Sequence, residues 1–408
     1  MTQPIPEPPH AESPQGPRRM PMPAPAKPHD APYGYVHGGT HPSTREQLEA
    51  RLREGRPTPL VWTPETDGLV PPWQVPELFP AYRAHGLRHS RKVALTWAAV
   101  SAALLAWAAI RGPFVFVNGF VLIGFLAASL SFYSFLEWLR VRRLTPGKLD
   151  AEVRERRSRL PPRPGPARWT QILSGGIALV MLVQAVAAVA ISHHSPVLMG
   201  GPANIPSIDA AGVVVQAIRE NHEYWRLLTG VYLHDGLLHF GFNIIGILAL
   251  GRFLESFAHR VYVPLVFLLT AVAASTASYF GSGFSGAEAS VGASGGLMGL
   301  FGFLAALARI RRDRLPPGFG RAILTDIAVI AAMGILGAGY VDNFAHGGGF
   351  LSGAALGWLM IPRGGRTPHW EPSAAIRKLG TLAMGIVLAG AVGTAAWLVY
   401  TLFLFPHG

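Results

Sequence analysis

Nine apolar runs decide what this chain can become. They lie near residues 93–110, 114–138, 171–192, 239–257, 262–280, 292–309, 322–339, 344–361 and 380–405. A bilayer core takes about 20 apolar residues per helix, with ~17 as the lower limit. Only segments that satisfy their own backbone hydrogen bonds can cross it. The runs therefore predict an all-α polytopic membrane protein. Composition agrees, with 50% of the 408 residues hydrophobic and 14% charged, outside the usual soluble range. The sequence contains no cysteine. Disulfides, thiolate nucleophiles and cysteine–zinc sites are thereby excluded.

The formal charge of +12 raises nucleic acid as a partner, but its placement argues for a membrane instead. Arg88, Arg91 and Lys92 precede the first run, and basic loops 140–168, 309–314 and 362–378 follow the second, sixth and eighth. The long segment 193–238 carries only Arg219 and Arg226. Nine crossings from a cytoplasmic N-terminus put every basic cluster on the cytoplasmic side. The expectation is a multi-pass protein of the cell membrane whose partners are lipid and other membrane proteins, not nucleic acid. The arginine, alanine and proline bias suits a bacterial inner membrane.

Five regions follow. Residues 1–90 form a proline-rich, partly disordered cytoplasmic region, within which 44–57 suits one short helix starting at a threonine cap. Residues 91–138 make a transmembrane hairpin and 139–170 a basic cytoplasmic linker. Residues 171–361 hold six helices, and 362–408 a cytoplasmic loop and one further span.

This topology sends runs four, six and eight through the membrane in the same direction, so residues near their starts share one depth. Run four opens with "YLHDGLLHFGFN", which places His239 and Asn243 at i and i+4 on one helix face, with His234 just before them. Run six opens with "GASGGLMG", placing Ser294 in its first turn, and run eight with "DNFAHGGGFLSG", placing His346 in its first turn. Polar groups inside a bundle are expensive and point to function. Serine with histidine is the minimum kit for nucleophilic acyl transfer. A helix start also offers free N–H groups to an oxyanion. The same glycine-rich segments read equally as small-residue packing faces. Both readings hold together if Gly349, Gly353 and Gly357 draw run eight against run six.

The stretches "WRLLTGVYLHDGLLHFGFNIIGILALGRFLE", "GASG" and "AHGGGFLSG" together resemble the rhomboid intramembrane serine proteases, over roughly residues 171–361. The resemblance implies a six-helix core, here with an N-terminal transmembrane hairpin and one extra C-terminal transmembrane helix. It implies Ser294 as nucleophile and His346 as general base, with His239, Asn243 and the Ser294 N–H forming an oxyanion hole. Trp225, Arg226 and Glu255 match structural positions of the family. Its substrates are single-pass or polytopic membrane proteins cut near the outer face, entering laterally near run seven, with no cofactor or metal. Met298 departs from the pattern, standing where bacterial relatives stack an aromatic ring on the catalytic histidine. Asp342, one turn before His346, reads as a cap rather than a third catalytic group. The glycine- and serine-rich segment 281–290 is expected to act as a lid. A catalytically inactive rhomboid-like protein that binds transmembrane helices is the alternative, and a small-solute transporter a more distant one.

Overall fold

The computed structural model describes residues 31–111, 119–159, 166–192, 204–285, 288–316, 318–336, 341–364 and 370–404. The proline-rich arm 1–30 lies outside them. Two compact units result: one of residues up to Arg91 with Glu137–Asp150, and one of Lys92–Leu136 with the rest of the chain.

The first unit is a small α/β structure. Strands β1 (Tyr33–Val36), β2 (Thr40–Ser43) and β3 (Leu60–Trp62) form an antiparallel sheet in the order β2-β1-β3. Helix α1 (Arg45–Glu54) begins at Thr44, whose side chain accepts from the Gln47 N–H while Gln47 reciprocates, a capping box. It stops at Gly55 with φ 75°, the left-handed geometry that glycine adopts without strain. Leu48, Leu52, Val61, Val75, Leu78 and Ala81 fill the core. Trp62 lies over Gly34, where a Cβ would come within 2.0 Å of its ring. The all-helical expectation therefore misses this sheet. Its short strands carry glycine, histidine and proline rather than alternating apolar residues, so they leave no period-two signal.

Three helices contribute to both units: α2 (Phe79–Arg111), α3 (Gly119–Arg142) and α4 (Pro146–Arg159), the last within the expected basic linker. The second unit continues with α5 (Arg168–Ser192), α6 (Ile205–Ala211), β4 (Val213–Val214), α7 (Val215–Asn221), α8 (Arg226–Thr229) and α9 (Leu237–Phe257). It is completed by α10 (Tyr262–Ser285), β5 (Ala289–Ser290), α11 (Ser294–Ile310), α12 (Phe319–Leu336), α13 (Asn343–Met360) and α14 (Ala374–Val399). Over its described residues each expected apolar run coincides with a helix; 114–118, 337–339 and 405 lie outside the described residues. Among the described residues, four helices (α5, α9, α10 and α14) are long and apolar enough by themselves to cross a membrane, and α11 is a shorter apolar helix.

Glycines set the packing at the centre. A Cβ on Gly349 would lie 2.2 Å from the Gly295 carbonyl oxygen, one on Gly353 2.0 Å from that of Gly299, and one on Gly302 2.1 Å from that of Phe350. Helices α11 and α13 thus meet backbone to backbone, as the glycine spacing predicts. Helix α10 locks into both, with Ala274 against Gly295 and Ala277 against Gly348. The last helix is built into this bundle rather than appended to it. It packs on α5 and α10, and Gly390 leaves room for Tyr232, whose hydroxyl donates to the Val387 carbonyl at 2.9 Å.

This packing separates two glycines on one helix. Gly353→Ala forces α11 and α13 apart and should cost about 1–3 kcal/mol, the usual range for overpacking. Gly347→Ala, where nothing lies within 4 Å, should be neutral or slightly stabilising because alanine is the better helix former. Thermal unfolding of the two variants in detergent is the comparison to make.

Candidate active site

Ser294 is the first residue of α11. Its position depends on Gly292, whose φ of 125° is accessible to glycine and strained for other residues. The Gly292 N–H donates to the Gly230 carbonyl at 2.9 Å. A Cβ there would sit 2.7 Å from His239 Cε1, 2.9 Å from His239 Nε2 and 3.8 Å from Ser294 Oγ. The serine hydroxyl and the histidine ring therefore approach one point that only a glycine leaves open.

Four residues into α13 stands His346, whose N–H donates to the Asp342 carbonyl at 3.0 Å. The next glycine along, Gly349, abuts Gly295, which directly follows Ser294. A small cavity lined by Ser294, Gly292, Gly295, Ser290 and Ala345 has room for about one water. Among the described residues, no hydrogen bond joins Ser294 Oγ to the His346 ring.

Asn243 is buried and gives one side-chain N–H to the His239 carbonyl at 2.9 Å. An amide has two N–H donors, so one remains for another acceptor. The His234 ring meets the His239 ring edge to face, with centroids 5.1 Å apart. His234 is fully buried. Its Nδ1 faces the Tyr232 carbonyl at 3.2 Å and its backbone N–H donates to Gln184 Oε1 at 2.9 Å. Gln184, buried in α5, also donates to Ser207 Oγ at 3.1 Å.

Asp342 acts as a helix cap. One carboxylate oxygen accepts from the Ala345 N–H at 2.8 Å, and the other accepts from Ser290 Oγ at 2.6 Å and from Ser278 Oγ. It therefore binds α13, β5 and α10 together. The expected lid at 281–290 is only partly a loop. Helix α10 runs on to Ser285, and Ala289–Ser290 pairs with Val213–Val214.

Around the site, Arg226 is almost fully buried. It donates to Glu223 Oε2 at 2.5 Å and to the Asp209 and Gly212 carbonyls at 2.8 and 3.2 Å. Its guanidinium lies 4.7 Å from the Trp225 ring centroid, and Trp225 meets Trp397 of α14 edge on. Glu255 accepts from the Thr170 N–H at 2.8 Å and the Thr170 hydroxyl at 2.6 Å, joining the end of α9 to the start of α5. Met298 is buried in α11.

Sequence reasoning missed Gln184, Ser278, Ser290 and Tyr232 as supports. Gln184 alone left a signal, a polar residue inside an apolar run. The others find their partners far along the chain. Among the described residues no cluster of histidine and carboxylate groups has the makings of a metal site.

A helical bundle that gathers a serine, two histidines and an asparagine at one end defines a polytopic membrane protein with a buried polar centre. The chain matches the Rhomboid domain over residues 221–363. It is 36% identical over 166 residues to RHOMBOID-like protein 1 of Arabidopsis thaliana, covering 40% of this chain and 41% of that one. Rhomboid protease GluP of Bacillus subtilis is 32% identical over 199 residues, covering 47% and 36% of the two chains. Inactive RHOMBOID-like protein 8 of Arabidopsis thaliana is 30% identical over 158 residues, covering 38% and 43%. The chain spans less than half the length of each of these relatives.

As a cap and cross-brace, Asp342 matters first for stability. Asp342→Ala should lose at least ~1 kcal/mol from the cap alone, with a further cost for the serines left without it. A lowered unfolding midpoint in detergent, with Asp342→Asn retaining part of the loss, is the expected result.

Proposed function

We propose that this chain is an intramembrane serine endopeptidase that cuts transmembrane segments of membrane proteins near the outer face. The observation that carries the reading is the convergence of Ser294 Oγ and the His239 ring on the point beside Gly292, next to the helix that bears His346. The sequence's basic loops support a cytoplasmic N-terminus and nine crossings, and its arginine, alanine and proline bias suits a bacterial inner membrane.

In this reading Ser294 Oγ attacks the scissile carbonyl and His346 takes the hydroxyl proton. The tetrahedral oxyanion is received by the Ser294 N–H, the second Asn243 N–H and the His239 ring. His346 then returns the proton to the leaving amine, leaving an ester on Ser294. A water, activated by His346, hydrolyses that ester and restores the serine. Helical backbone is fully bonded internally, so the substrate must unwind before its carbonyl reaches Ser294. Arg226, Trp225 and Glu255 support the site without touching substrate.

The second reading is a helix-binding protein without activity. It draws support from Met298 in place of an aromatic ring and from the inactive relative. Cleavage of a tagged single-span substrate by the reconstituted protein decides between them. Cutting by the parent, absent in Ser294→Ala and His346→Ala, is expected. Asn243→Ala should lower kcat by about 10²–10³-fold, the usual effect of removing one oxyanion donor. No cutting and no labelling of Ser294 by a fluorophosphonate would leave the helix-binding reading in place.

A further inference from the structure

The N-terminal hairpin has no part in the chemistry above, yet a specific bond ties it to the bundle. Tyr133 of α3 donates its hydroxyl to Asp326 of α12. A carboxylate part-way along an apolar helix is costly and marks function. Asp326 lies seven residues into α12, about 10 Å along its axis. Neighbouring α3 residues show that the hairpin is a braced unit. Ser131 Oγ donates to the Ala94 carbonyl of α2 at 2.9 Å. Ser131 and Tyr133, two residues apart, point to faces ~200° apart on the helix. Helix α3 therefore bonds α2 with one face and α12 with the other.

The helices near Ser294 are not held equally. Helices α10, α11 and α13 interlock through glycines at backbone contact. Helix α12 packs on α11, with Ile323, Ile327 and Ile330 against the core, but without glycine contacts from backbone to backbone. Its start is held by Phe319, stacked on Phe253 of α9 with centroids 4.4 Å apart. Its far end is held by the Asn343 side chain, which donates to the Gly334 carbonyl at 2.9 Å, three residues before His346. Leu324 and Ile335 on α12 are largely exposed. Helix α12 is thus anchored at its start, lightly tied beside the site, and clamped between these points by Tyr133.

We propose that the α2–α3 hairpin is a built-in clamp on α12, and that the Tyr133–Asp326 bond sets how readily a membrane helix passes α12 to reach Ser294. The proposal rests on the protease reading for its consequence in catalysis, but the clamp itself has a readout free of activity. Releasing it lets α12 swing about its Phe319 end, opening the side of the bundle next to α13.

The test uses the full-length protein in lipid vesicles with Tyr133→Phe, Asp326→Leu and the double variant. Cleavage of a single-span substrate should rise about threefold, with ~15-fold as the ceiling for an interhelical membrane hydrogen bond. The double variant should match the singles, since both remove one interaction. A water-soluble fluorophosphonate reaches Ser294 without lateral entry, so its labelling rate should not change. Because the sequence has no cysteine, Leu324→Cys gives a single spin-label site on α12. Its mobility should increase in Tyr133→Phe. Joining introduced cysteines at 133 and 326 with a short bis-maleimide should suppress cleavage and spare labelling.

Unchanged label mobility in both single variants overturns the clamp, whatever the activity. Parallel changes in cleavage and labelling overturn its role in access. A parent that neither cuts nor labels removes the protease reading, and the mobility measurement still judges the clamp.

Discussion

The contact of α11 with α13, glycine against carbonyl, is what everything else in the bundle relies on. No side chain larger than hydrogen fits at Gly349, Gly353 or Gly302. In hydrocarbon the association of helices gains little from apolar burial, because lipid tails are as apolar as the side chains they replace. Close backbone approach supplies dispersion contacts instead. It also fixes the relative depth of the two helix starts to within a turn. Ser294 and His346, the residues proposed to carry chemistry, sit on those starts, so packing and the geometry of the proposed site are one constraint rather than two.

The polar groups around the site follow from the same economy. Buried donors and acceptors must be paired, and here they are paired across elements. Asp342 holds α13, β5 and α10 together. Arg226 gathers two carbonyls and Glu223. Gln184 ties α5 to the backbone at His234. Among the described residues near the site, the exception is His234 Nε2, which is buried with no hydrogen-bond partner, next to the His239 ring.

Features written in local spacing were legible in the sequence. The Thr44 cap and its helix, the apolar runs and the glycines of α13 all follow from short-range rules. The positions of Ser294, His346, His239 and Asn243 near their helix starts were legible because parallel helices convert a shared offset into a shared depth. What escaped is non-local. Strands β1 and β2 show no alternation, and Trp62 over Gly34 is a tertiary contact. Segment 281–290 looked like a loop because its glycines and serines say nothing of β4, to which it pairs. Serine hydroxyls such as Ser278 and Ser290 carry no mark of their distant carboxylate.

The place of α14 has a consequence for how the protein comes into being. Tyr232 lies in the segment that leads into His234 and His239, and its hydrogen-bond acceptor is 155 residues further along the chain. Trp397, later still, donates to the Ala210 carbonyl at 2.9 Å. During synthesis the helices bearing Ser294 and His346 emerge before these supports exist. The loop that leads to the polar centre therefore gains these two braces only once α14 has been inserted. A nascent chain holds Ser294 and His346 early and these supports late, so the order of translation itself delays completion of the scaffold.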